Sequence, residues 1–310
     1  MPKLLTFDFG MIGDNFRGLT FIKYLKEQFR DWELFYWIRP EWYPPLKDLL
    51  QLCNFIDEII VKPRSVKNSL QINQYILENN LKGKKISIDD IKGFDVRGLL
   101  NNSVFFDKVF PTCEPWSIPK MIENPDMSFD ELPYIPDKTN QLELLCNIFD
   151  IREDSLGPML PVFGKRSEIK RYITVGMCRP DKGDWKQPPV SLVNKVWEIL
   201  LEKDFALVAV DKQQWYPLPK SSRVVDCRDL PFSDKIAIFN NAKVFVGGEG
   251  GLGHFAAVCG CPIIIRAAVD KSLVVNTSVL TPYPRKTGFG IHQVFNYEDE
   301  MFLSVIENIT

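Results

Sequence analysis

The residues best placed to do chemistry lie in the stretch 242–265, AKVFVGGEGGLGHFAAVCGCPIII, where Gly247, Gly248, Gly250, Gly251 and Gly253 separate an apolar run from His254 and a second, small-residue apolar run. Residues 244–246 read as a short buried strand, the run from His254 as a helix, and residues 262–265 as the next strand. The glycines therefore fall at a helix entrance. Backbone N–H groups there lack helical partners, and the aligned peptide dipoles add partial positive charge, so the chemistry on offer is binding of an anion, phosphate above all. A tight turn accounts for the same glycines equally well. Spacing removes two commoner nucleotide loops. No G-x-x-x-x-G-K-[ST] occurs, and the loop lies late in the chain rather than after the first strand, where a dinucleotide fingerprint belongs.

The elements that must carry this loop follow an alternating pattern. Residues 4–9 read as a first strand, Gly10 to Asp14 as the turn after it, and 15–29 as a helix with Phe21, Ile22, Leu25 and Phe29 on one side. A strand at 33–38, a short helix opened by Pro44 and a strand at 56–61 follow. After Tyr172 the order resumes: strand 173–176, helix 190–201, strand 206–210, a short strand at Val224 and Val225, helix 233–240, and then the glycine unit. Between the halves, the proline-rich segment 111–136 reads as a long loop, 139–149 as a helix and 156–170 as a linker; 298–309 reads as a final helix. Such alternation predicts parallel, doubly wound sheets. At 310 residues the chain is long enough for two domains, placed at 1–160 and 161–310.

Glu249-Gly250-Gly251-Leu252-Gly253-His254-Phe255-Ala256-Ala257 resembles the D-[ST]-G-x-x-H-x-A-A signature of the heptosyltransferase-like glycosyltransferases, glycosyltransferase family nine. Glu249 stands where the family has Asp, and Gly250 where it has a hydroxyl residue. Two more segments are similar to that family. Gly10-Met11-Ile12-Gly13-Asp14 matches its G-x-[IM]-G-D after the first strand, and 176–185 matches the segment in which a lysine precedes a Trp, here Lys182 before Trp185 with Lys186 in reserve. The resemblance implies the GT-B fold, α/β with two Rossmann-like domains whose parallel sheets face across a cleft, and a last helix that returns to the first domain. It implies inverting transfer of a sugar, heptose or a related one, from a nucleoside-diphosphate donor to a hydroxyl of a glycan or glycolipid such as a lipopolysaccharide core.

In that reading Asp14 is the general base, Lys182 neutralises the donor diphosphate, and Glu249, Gly250, Gly251, Gly253 and His254 complete the donor site. The segment 84–100 is similar to the acceptor-side loop, so Asp90, Lys92 and Arg97, with Arg17 one turn into the first helix, are candidate acceptor contacts. Plainer roles exist for each: Asp14 as a helix cap, Lys182 as a surface lysine, Asp90, Lys92 and Arg97 as a solvated loop. No D-x-D occurs, so no metal or other cofactor is expected, and the leaving diphosphate must be met by backbone N–H groups and lysine.

Bulk composition narrows the partners. A net charge of −2 offers no basic field for nucleic acid. Seven scattered cysteines suit a reducing, cytoplasmic setting better than a disulfide framework, and two histidines leave little for zinc. No signal peptide or long apolar span is evident, so membrane association is expected to be peripheral at most, at the cytoplasmic face. Rival readings are a GT-B transferase acting on protein or nucleic acid, a nucleotide-sugar epimerase, and a nucleotide-sugar-binding protein without turnover.

Overall fold

A computed structural model of the chain describes residues 1–7, 12–61, 107–111, 162–164, 172–177, 188–211, 217–248, 250–267, 286–287, 290–291, 293–296 and 298–310. The chain divides into two compact units, Met1–Gly157 and Pro158–Thr310. Each is built on a parallel sheet.

In the first unit, β1 (Lys3–Phe7), β2 (Glu33–Ile38), β3 (Glu58–Val61) and β4 (Lys108–Pro111) are hydrogen-bonded in the order β3-β2-β1-β4. All three pairings are parallel, with Leu5 opposite Phe35 and Val109. β2 is buried from Leu34 to Ile38, which is why it reads as an unbroken apolar run rather than an alternating one. The helix α1 (Ile12–Gln28) carries the chain from β1 to β2 and buries Phe16, Leu19, Ile22 and Leu25; α2 (Tyr43–Gln51) joins β2 to β3, with Pro at its first positions and Leu46, Leu49 and Leu50 inside. Helix α1 begins at Ile12 rather than at residue 15, so Asp14 lies within the first helical turn. The strand β4, next to β1, was not foreseen, because Lys108–Pro111 offers only Val109 and Phe110 as an apolar signal and ends in a proline.

The second unit holds β5 (Tyr172–Gly176), β6 (Ala206–Ala209), β7 (Val224–Asp226), β8 (Ala242–Gly248) and β9 (Ile263–Ala267), with a short antiparallel pair, β10 (Lys286–Thr287) and β11 (Gly290–Ile291), and then β12 (Gln293–Asn296). Its main sheet runs β12-β9-β8-β5-β6-β7, parallel throughout. The chain winds outward from β5 through β6 and β7, returns to the other side of β5 as β8, and winds outward again. That is the doubly wound order in which the direction of winding reverses between the first and fourth strands.

Among the described residues three helices pack against this sheet: α3 (Val190–Glu202) through Val193, Val196, Trp197 and Leu200, α4 (Phe232–Asn241) through Phe239, and α5 (Gly251–Val258) through Phe255 to Val258. The last helix, α6 (Asp299–Glu307), puts Phe302, Leu303 and Ile306 into one core cluster with Ile173, Val196, Leu200 and Ile264. The buried face of α6 thus packs within the second unit's core. Of the loop expected at 111–136, Pro111 ends β4; the rest of that loop, the helix expected at 139–149, the segment 84–100 and most of the linker at 156–170 lie outside the described residues.

Candidate functional site

The point where winding reverses lies between β5 and β8, whose C-terminal ends are register partners at Gly176 and Gly247. In open parallel sheets ligands gather outside the strand ends at this point, because the connections diverge there and leave a crevice. The glycine stretch sits at that place. Strand β8 runs on through Gly247 and Gly248, so only Glu249 and Gly250 separate the strand from α5.

The glycines divide into two kinds. A Cβ on Gly247 would lie 2.4 Å from Cζ of Phe245 and 2.8 Å from the Gly176 carbonyl oxygen, and one on Gly253 would lie 2.9 Å from Cδ1 of Ile265. On Gly248 it would stand 3.0 Å from the Met177 carbonyl oxygen. Gly247 and Gly248 thus let β8 lie close against the end of β5, and Gly253 lets the helix α5 close on β9, since a Cβ at each would be crowded. Gly250 is different: it precedes the first helical residue, its backbone is extended, and among the described residues a Cβ there would meet no heavy atom within 4 Å. Open space thus lies beside the helix entrance, and no side chain of the preceding residue caps it.

Helix α5 is held firmly from below. Phe255 meets Phe163, Phe232 and Phe239 edge to face at ring separations of 6.1, 5.1 and 5.5 Å. Val162 and Phe163 donate backbone hydrogen bonds to the Val258 carbonyl at the far end of the helix, and Asn240 Nδ2 donates to the Phe163 carbonyl at 2.9 Å. At the entrance the Gly253 N–H turns back to the Gly250 carbonyl, while the N–H groups at the start of any helix have no intrahelical acceptor. Gly251 opens the helix, and His254 is half-buried one turn along.

A charged cluster occupies the same edge of the sheet, beyond β6 and β7. Arg228 grips Asp226 with two hydrogen bonds, Nε to Oδ1 at 2.9 Å and Nη2 to Oδ2 at 2.7 Å. That grip holds the Asp226 carboxyl below its ordinary value and raises the guanidinium. Lys235, fully buried, donates to the Arg228 carbonyl at 3.0 Å, and buried Asp211 follows β6. No signal in the sequence marked this cluster; burial of three charged residues, Asp211, Arg228 and Lys235, depends on tertiary pairing.

In the first unit, Asp14 and Arg17 both fall on α1, Asp14 in its first turn. The neighbouring Asn15 is buried and accepts a hydrogen bond of 2.6 Å from the Tyr36 hydroxyl on β2. Of the expected donor residues, Gly250, Gly251, Gly253 and His254 are brought together at the start of α5; Lys182 and Glu249 lie outside the described residues, as do Asp90, Lys92 and Arg97. Among the described residues no cluster of three or more His, Cys, Asp or Glu could hold a metal ion, no helix is long and apolar enough to cross a membrane, and four cysteines are free thiols.

No family model matches the sequence, and no curated protein matches it. Solved structures do share its architecture. The glycosyl transferase family 9 protein of Veillonella parvula is similar over 100% of this chain and 92% of its own, with a TM-score of 0.53 and 13% identity. The E. coli heptosyltransferase WaaC bound to ADP is similar over 98% of this chain and 99% of its own, with a TM-score of 0.52 and 10% identity. The E. coli ADP-heptose lipopolysaccharide heptosyltransferase II is similar over 98% of each chain, with a TM-score of 0.53 and 12% identity. The chain has the two-unit α/β fold of the heptosyltransferase-like glycosyltransferases, the GT-B fold.

Proposed function

We propose that the protein is a glycosyltransferase that moves a sugar from a nucleoside-diphosphate donor to a hydroxyl acceptor with inversion at the anomeric carbon. The observation that carries this reading is the entrance of α5, with open space at Gly250, at the winding reversal of the second unit's sheet. Backbone N–H groups and the helix dipole favour a diphosphate there, and Lys182 supplies the further positive charge. In this reading Glu249 acts on the sugar and His254 on a phosphate oxygen.

In the transfer, Asp14 takes the proton of the acceptor hydroxyl as its oxygen attacks the anomeric carbon. The bond from that carbon to the diphosphate oxygen breaks, and the nucleoside diphosphate leaves with the electron pair. Arg17, Asp90, Lys92 and Arg97 are the candidate acceptor contacts. The acceptor is a glycan or glycolipid of the lipopolysaccharide-core kind, the sugar a heptose or relative, and the work is done in the cytoplasm or peripherally at the inner face of the membrane. Neither metal nor cofactor takes part.

The test is a thermal-shift screen of the intact protein against nucleoside diphosphates and their parent nucleosides, followed by release of nucleoside diphosphate from the matching sugar donor in the presence of a chelator. A diphosphate at about 100 times its dissociation constant should stabilise by about 2.7 kcal/mol, and hydroxyl acceptors should raise its release from the sugar donor. A protein that binds donor but never releases diphosphate is a non-catalytic binder, and release that needs added metal contradicts the backbone-and-lysine account.

A further inference from the structure

We propose that Tyr36 is a positioning residue for the transfer step, acting through Asn15 on the helical turn that carries Asp14. The inference rests on the reading of Asp14 as the base. Tyr36 is wholly buried in β2, a strand hydrogen-bonded on both sides, with Thr6 of β1 and Ile59 of β3 as its register partners. Its hydroxyl donates to Asn15 Oδ1 at 2.6 Å, and Asn15 is itself only 1% exposed. The bond therefore spans from the rigid middle of the sheet to the residue directly after Asp14.

The opening turn of a helix is its least constrained part, because its first N–H groups have no intrahelical acceptors and the ends fray. Apolar contacts such as that of buried Phe16 hold such a turn near the sheet without fixing its rotation, since burial is non-directional. A hydrogen bond constrains both distance and angle. The surroundings sharpen the point: Leu34, Phe35, Trp37 and Ile38, the other buried residues of β2, are apolar or nearly so, and an apolar pair would fill the space under α1 without the desolvation of a hydroxyl and an amide. The polar pair supplies direction where burial alone supplies only adhesion. A displacement near 1 Å at a reacting group costs about 10²-fold in rate, so a small rotation of this turn is enough to matter.

The test compares Tyr36→Phe, Asn15→Leu and the double variant, each with parental Asp14 and with Asp14→Asn. With Asp14 present, Tyr36→Phe should lower kcat by about 10-fold to 10²-fold while leaving donor affinity unchanged. The double variant removes both polar partners together, which commonly restores stability, so it should melt near the parent and still turn over slowly. In the Asp14→Asn background none of these changes should lower kcat further, because their effect passes through the missing carboxylate. A double variant with parental melting temperature and parental kcat overturns the proposal, as does an equal loss in both backgrounds. Near-normal turnover of Asp14→Asn alone instead removes the base itself, a separate failure that Tyr36 does not influence.

Discussion

Gly176 and Gly247 face each other across β5 and β8, and a Cβ on Gly247 would press within 2.8 Å of the Gly176 carbonyl oxygen and 2.4 Å of the buried Phe245 ring. Neither neighbour can move easily, since one is backbone and the other is packed edge to face on Phe239 at 5.7 Å. Gly247→Ala should therefore destabilise the second unit by about 1–3 kcal/mol through overpacking. The urea midpoint of the variant beside the parent measures this, and an unchanged midpoint would show that the strands can part without cost.

Gly250 gives the opposite expectation. Its extended backbone suits any residue, the space around a Cβ is open, and serine caps helices at least as well as glycine. Gly250→Ser should leave the melting temperature within about a degree, or raise it slightly, and tighten nucleoside diphosphate binding by about 10-fold, since a hydrogen bond to a charged group contributes about 1.5–3 kcal/mol. Calorimetric titration of both proteins with the same diphosphate checks it; unchanged affinity would mean that the phosphate does not reach this entrance.

Lys182→Ala should weaken binding of a nucleoside diphosphate by at least about 10-fold and leave the nucleoside alone, because the proposed partner of the ammonium is phosphate. Equal losses for both ligands would place Lys182 against the nucleoside or would reflect general damage, and would remove it from the diphosphate site.

Much of the fold was legible because the strands of a doubly wound sheet are buried on both faces. Leu207 to Val210 and Ile263 to Ile265 stand out as short apolar runs, and Ile173 to Val175 as a short β-branched one. The weak strands were not legible. Lys108–Pro111 and Gln293–Asn296 take their places from β1 and β9, partners that no local pattern names. The glycines were legible as a cluster and misleading as a set: only the positions of Phe245 and Ile265 reveal that Gly247 and Gly253 serve packing while Gly250 borders open space. Tyr36 was visible in the sequence as part of an apolar strand. A tyrosine amid such a run signals that its hydroxyl needs a buried partner, but Asn15 could be named only from the fold.

The pair of Asp226 and Arg228 predicts a pH dependence. Hydrogen bonding by Arg228 lowers the folded pKa of Asp226, so the stability it contributes is present above the unfolded value of about 3.9 and is lost as pH falls through the lower folded value. Asp226→Asn should thus be less stable than the parent at neutral pH, and the gap between their urea midpoints should shrink below about pH 4. A gap that stays constant or widens on acidification contradicts the pairing.

Sugar transfer with Asp14 as base stands or falls on a single variant. Asp14→Asn keeps the size of the side chain and loses its charge in the first turn of α1, a change worth about 0.3–1 kcal/mol at a helix N-terminus. Loss of a general base costs about 10²–10⁴ in rate, or about 3–5 kcal/mol in the barrier. Turnover, donor affinity and melting temperature should be measured together on this variant and the parent, with the donor identified by the nucleotide screen. With Asp14 as base, turnover should be lower by at least about 10², donor affinity unchanged and the melting temperature lower by only a few degrees. Near-parental turnover from a folded, donor-binding Asp14→Asn protein would contradict it and leave Asp14 as a residue of the helix end alone.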